Sequence, residues 1–137
     1  MNTENFASFN PSVCISNKVR QLNRVVANIY RTYLAPFNIT DSQLTILFVL
    51  SKKEQLTQTE LSNMLHLEKS SINRNLKRLL ERNFITKKDF RRLALTTEGY
   101  TIVHQIIPEW EKAMHETEAL LNNDGVQAVN LLTKKIN

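Results

Sequence analysis

Only four residues, 66–69, separate two short amphipathic helical patterns in the middle of the chain, and this spacing constrains the fold more than any other feature. The first pattern opens at Thr57-Gln58-Thr59-Glu60, where a hydroxyl followed three residues later by a carboxylate has the spacing of a capping box, and it continues through Leu61, Met64 and Leu65. The second spans 70–82 and places Ile72, Leu76, Leu79 and Leu80 at i, i+4, i+7 and i+8, one buried stripe of a helix. Two helices joined by so short a link form a helix-turn-helix unit.

The flanking segments extend this unit on both sides. Thr40-Asp41-Ser42-Gln43 is a second capping-box pattern and predicts a helix through Leu50. Asn83, after the last turn of the 70–82 pattern, is a common substitute for glycine in a left-handed helix cap. Phe84-Ile85-Thr86 and Leu93-Ala94-Leu95-Thr96 then predict two short strands of a hairpin looping through 87–92. Upstream, Ile15, Val19, Leu22, Val26, Ile29 and Tyr33 step by four and three along a long helix over 13–35, which Pro36 is expected to end because the residue before proline resists helical backbone. Downstream, Thr96 is placed to cap a helix whose stripe is Val103, Ile107, Trp110, Met114 and Leu121, with Pro108 expected to kink or divide it. Asn122-Asn123-Asp124-Gly125 predicts a break before a last amphipathic segment carrying Val126, Val129, Leu132 and Ile136. With two glycines and three prolines in 137 residues, the chain is poorly supplied for a turn-rich β protein.

The expected fold is therefore mainly α with a small β-hairpin wing, a winged helix-turn-helix between N- and C-terminal dimerisation helices. A single domain covers 1–137, with dimerisation helices at 12–36 and 98–137, the winged helix-turn-helix at 38–97 and a short wing at 84–96. The apolar run around Leu44 to Leu50 is far shorter than the ~20 residues of a membrane span, and the first residues carry neither a basic start nor an apolar centre, so a cytoplasmic protein is expected. A single cysteine fits a reducing compartment.

Charge points to the partner. The chain is +5 overall, but residues 69–92 alone carry +7 and the remainder −2. With the apolar stripe inward, Ser70, Arg74, Lys77, Arg78 and Glu81 share the outer face of the 70–82 helix and Ser71 flanks it. Arginine can bond a guanine edge in pairs, serine bonds phosphates or bases, and a helix N-terminus attracts phosphate. Ser70, Ser71, Asn73 and Arg74 are therefore the candidate base readers. Lys77, Arg78, Lys87, Lys88, Arg91 and Arg92 are the candidate contacts to phosphates or the minor groove of double-stranded DNA.

Five segments, in order, resemble the MarR family of bacterial transcription regulators. They are Leu34-Ala35-Pro36-Phe37-Asn38-Ile39-Thr40-Asp41-Ser42-Gln43, Leu56-Thr57-Gln58-Thr59-Glu60-Leu61, Ser70-Ser71-Ile72-Asn73-Arg74-Asn75-Leu76, Phe84-Ile85-Thr86 and Leu95-Thr96-Thr97-Glu98-Gly99. The resemblance spans nearly the whole chain and implies a repressor, released by a small ligand or an oxidant, that binds an inverted-repeat operator as a homodimer. Half-sites are then expected about one helical turn apart, near 10–10.5 bp. One departure is in the wing, where Asp89-Phe90-Arg91 lies only a few residues before Leu95, so the wing is shortened relative to the family pattern. The resemblance gives Asp89 and Arg91 the roles of its tip.

Other features divide between a functional and a packing reading. Cys14 lies where some branches of the resembled family sense oxidants, although a small buried filler is the favoured reading. Trp110, Tyr30 and Tyr33 suit a pocket for an aromatic small-molecule effector, against a favoured reading as interface packing. Glu111, His115 and Glu118 share a helix face, but a solvated face outweighs a metal site, and no cofactor is expected. His66 is read as a surface or capping residue. No glycine-rich phosphate loop or nucleophile-base pattern suggests an enzyme. The rival is a winged helix that docks protein without specific DNA binding.

Overall fold

The computed structural model describes residues 3–137. The elements run α1 (Thr3–Ser8), α2 (Ile15–Leu34), α3 (Asp41–Lys52), α4 (Gln58–Leu65), α5 (Lys69–Glu81), β1 (Ile85–Lys88), β2 (Arg92–Leu95) and α6 (Thr97–Ile136). Short 3-10 turns occupy Pro11–Val13, Ala35–Phe37 and Asp89–Arg91.

The helix starts follow their capping residues. At α3 the Thr40 hydroxyl accepts from the Gln43 N–H at 3.2 Å while the Gln43 side chain accepts from the Thr40 N–H at 3.1 Å, a complete capping box. At α4 the Thr57 hydroxyl accepts from the Glu60 N–H at 3.2 Å. At α6 the Thr96 hydroxyl accepts from the Gly99 N–H at 2.9 Å. Helix α5 ends in a Schellman motif: Asn83 takes the left-handed conformation with φ 61°, the Asn83 N–H donates to Leu80 and the Phe84 N–H donates to Leu79.

The core gathers α3, α4, α5, the hairpin and the first half of α6 around Leu44, Leu47, Leu50, Leu61, Ile72 and Ile106, all essentially inaccessible. Strands β1 and β2 pair antiparallel from Ile85 with Leu95 to Lys88 with Arg92. Leu56, in the loop before α4, adds an antiparallel bridge to Leu93, with backbone bonds of 2.7 and 3.0 Å. This bridge ties the hairpin to the loop that leads into α4, and no pattern in the sequence encodes it.

Several expectations are corrected. The first long helix ends at Leu34, beside Pro36 as expected, but by another route: Ala35 keeps helical dihedrals, φ −54° and ψ −42°, proline sits in the first turn of the 3-10 segment, where its missing N–H costs nothing, and the chain reverses at Asn38 with φ 52°. Pro108 leaves helical dihedrals intact; its ring is exposed, and so is His104, whose carbonyl loses its bond to residue 108 and can face water. The interruption is instead at Asn122, with φ 61° and ψ 178°, at the start of the expected Asn-Asn-Asp-Gly break. The buried stripe of α6 is Val103, Ile106, Ala113 and Thr117, while Ile107 is exposed, so the expected stripe follows the edge of the buried face rather than its centre. Lys87, Lys88 and Arg92 belong to strands rather than to the loop between them.

Candidate nucleic-acid interface

Helix α5 is fixed on its inner side by Ile72, Leu76 and Leu79, and this orientation leaves Ser70, Asn73, Arg74, Lys77 and Arg78 exposed. Ser71 is half-buried on the flank, as its helical position predicts. No side chain caps the start of α5, so its first N–H groups are open to an acceptor from outside. Asn73 is held from α4: the Gln58 amide donates to the Asn73 side-chain oxygen.

The wing presents a second set of cations beside the first. Lys87, Lys88, Arg91 and Arg92 are all exposed. The turn between the strands is tight, with Phe90 at φ 59° and Arg91 at φ 58°, and it lifts the Phe90 ring clear of the protein at 89 % exposure. Lys69, Lys87 and Arg91 line one cleft with Thr57, Thr59 and Ser62 near the start of α4, so the start of α4, the start of α5 and the hairpin share one open surface. Among the described residues, the only ion pair is Lys112 with Glu109 on α6 at 2.9 Å, and the cations of 69–92 have no acidic partner.

Arg82 is the exception within that segment. Its guanidinium donates to the carbonyls of Asn38 at 2.5 Å and Phe37 at 3.0 Å and stands 4.7 Å over the Phe84 ring, tying the end of α5 to the turn after α2. Its charge counts toward the basic segment, but its donors are directed at protein. Gln43 and Asn75, which sequence reading passed over, connect α3 to α5: the Gln43 amide donates to the Asn75 side chain at 3.4 Å. The Gln of the capping box was the available signal, although its second partner lies 32 residues away.

The remaining candidates separate. Cys14 is exposed at the start of α2, so it is not a buried filler within the chain. Trp110 packs edge-on against Phe48, with ring centroids 5.3 Å apart, and lines a groove of about 600 Å³ with Tyr100, Val103, His104 and Lys52. Tyr30 and Tyr33 do not line that groove, so the three aromatics do not converge on it. Tyr30 instead donates to the Met114 sulfur at 2.8 Å. Burial foremost, then the carboxylates of Asp41 and Glu118, push its hydroxyl above the usual tyrosine range, against an opposing hydrogen bond with Thr117. His66 is the exposed left-handed cap of α4, with φ 53°. Among the described residues no helix is long and apolar enough to cross a membrane, and Glu111, His115 and Glu118 do not form a group that could hold a metal ion.

Residues 37–92 match the model of the MarR family. Similar solved structures include the reduced form of MarR from E. coli, 23 % identical with a TM-score of 0.72 and 96 % of each chain covered. A mutant MarR from E. coli complexed with operator DNA is 23 % identical at a TM-score of 0.80, covering 94 % of this chain and 97 % of that one. BpsR from Bordetella bronchiseptica, whose DNA binding is regulated by 6-hydroxynicotinic acid, is 18 % identical at 0.83, covering 94 % and 98 %. No curated protein sequence matches the chain.

Proposed function

We propose that this protein is a sequence-specific double-stranded DNA-binding transcriptional regulator of the cytoplasm: residues 37–92 match the model of the MarR family, and 94 % of the chain shares the fold of a MarR complexed with operator DNA. The observation that carries the reading is the concentration of exposed cations on α5 and the wing that form no ion pair among the described residues, with Lys69, Lys87 and Arg91 lining one open cleft. Ser70, Ser71, Asn73 and Arg74, on the N-terminal half of α5, read base edges in the major groove. Lys77, Arg78, Lys87, Lys88, Arg91 and Arg92 hold phosphates or the adjacent minor groove and set affinity and register.

The regulator works as a homodimer on an inverted repeat. Supporting this, Ile15, Val19 and Leu22 on α2 and Leu132 and Ile136 on α6 stay exposed in the single chain, although they belong to the apolar stripes of their helices. Repression, with release by a small molecule, is the proposed mode of control, and the groove beside Trp110, Lys52 and His104 is the proposed effector site. Titrating the full-length protein against genomic fragments recovered by crosslinking tests the reading. Raising salt from ~50 to ~200 mM should weaken binding by a factor on the order of 10³. A nearly flat dependence would assign the winged helix to a protein partner instead.

A further inference from the structure

Gln43 is buried, at 4 % exposure, and its hydrogen bonds have a polarity that chemistry fixes. The Thr40 backbone N–H can only donate, so the atom it meets at 3.1 Å is the Gln43 oxygen, and the Gln43 nitrogen must donate onward. It does so to the Asn75 oxygen at 3.4 Å. Asn75 is thereby left with its nitrogen, which donates to the Ser71 hydroxyl oxygen at 3.5 Å. The Ser71 proton then has no acceptor among the described residues. Thr32, Thr45, Thr101 and Thr117 each donate to the carbonyl four residues back, and Ser71 does not.

We propose that Gln43 and Asn75 are positioning residues that fix Ser71 as an outward hydrogen-bond donor, so that the start of α5 selects an acceptor on the base edge it meets. This rests on the DNA-binding reading above. In the major groove guanine presents N7 and O6 and thymine presents O4, all acceptors, whereas cytosine presents the N4 donor. The position facing Ser71 therefore favours guanine or thymine over cytosine. A merely structural relay would support folding without affecting base choice.

The test enriches duplexes from a random-sequence library with the full-length protein and with Ser71→Ala; the position whose preference changes is the one Ser71 reads. Guanine or thymine should be favoured there over cytosine by about two- to tenfold, the worth of one net hydrogen bond. Asn75→Asp offers only acceptors, so it receives the Gln43 amide and turns the Ser71 proton inward. The guanine or thymine preference should vanish or pass to cytosine or adenine at that position alone. Gln43→Glu still caps Thr40 but cannot donate to Asn75, whose amide then turns its oxygen to Ser71 with the same result. If Gln43→Glu fails to fold by circular dichroism, Asn75→Asp decides. A wild-type protein that enriches no base preference overturns the DNA reading and this inference together. Specific enrichment that Ser71→Ala leaves unchanged, or a Ser71 position that keeps its preference in the relay variants, overturns this inference alone.

Discussion

Replacing Arg82 by alanine separates the structural from the electrostatic part of the basic segment. The substitution removes two charge-assisted bonds, to the carbonyls of Asn38 at 2.5 Å and Phe37 at 3.0 Å, and a cation–π contact at 4.7 Å from the Phe84 ring. The site is exposed, so water can take over both carbonyls and each bond is worth only about 1 kcal/mol net, with about 0.5 kcal/mol for the ring contact. The expected loss is about 2–3 kcal/mol. For a chain of this size about 3 °C accompanies each kcal/mol, so Tm should fall by about 6–9 °C. The salt slope of DNA binding should stay unchanged, because these donors face protein rather than phosphate. Thermal unfolding at fixed protein concentration, paired with DNA titrations across salt, reads both quantities. An unchanged Tm with a slope smaller by about one unit would show that Arg82 belongs to the DNA face and that its carbonyl contacts are inconsequential.

Two further substitutions probe the joint and the helix pair. At Gly99 an added Cβ would overlap the Phe84 carbonyl oxygen, a backbone atom that already accepts from the Thr96 N–H at 3.1 Å and cannot step aside. Gly99→Ala should therefore cost about 3 kcal/mol or more in urea unfolding, and a loss under 1 kcal/mol would contradict the close approach. Tyr30 holds its proton more tightly in the folded than in the unfolded chain, so its contribution is complete below the unfolded value near pH ~10 and is lost as pH rises through the folded one. Tyr30→Phe should lose less urea stability than wild type between pH 9 and 11, and equal losses would remove Tyr30 from that account.

What the sequence disclosed followed the range of each signal. Local chemistry was legible: the Thr40 and Thr96 caps, the left-handed Asn83 and the inner stripe of α5 depend on neighbours within a turn or so, and each lies where its pattern predicts. Non-local chemistry was not. Arg82 looked like one more cation of the basic segment because its partners, Phe37 and Asn38, are over 40 residues away. The Leu56 bridge to Leu93 and the bond from Gln43 to Asn75 likewise join distant segments, and no periodicity encodes them. Along α6 the apolar pattern is broader than the face the single chain buries, which moved the expected stripe from Ile106 and Ala113 to Ile107 and Met114. Pro36 did mark the end of α2, through a 3-10 turn rather than through extended backbone at Ala35, whereas at Pro108 the helix-breaking rule gave way to solvent.

The division between reader and clamp gives the most direct test of the account. Arg74 extends from the exposed N-terminal half of α5, whereas Lys87 and Lys88 extend from the wing strand. The measurement is the ratio of affinities for a selected operator duplex and its scrambled counterpart, taken for wild type, Arg74→Ala and the paired Lys87→Ala, Lys88→Ala variant. Arg74→Ala should lower operator affinity by ~1–3 kcal/mol and reduce that ratio, with preference lost at one base pair. The wing variant should weaken both duplexes about equally and lower the salt slope by roughly one unit per lost contact, leaving the ratio nearly unchanged. A ratio that survives Arg74→Ala and collapses with the wing variant would reverse the assignment of reader and clamp, and a wild-type ratio near one would contradict sequence-specific binding itself.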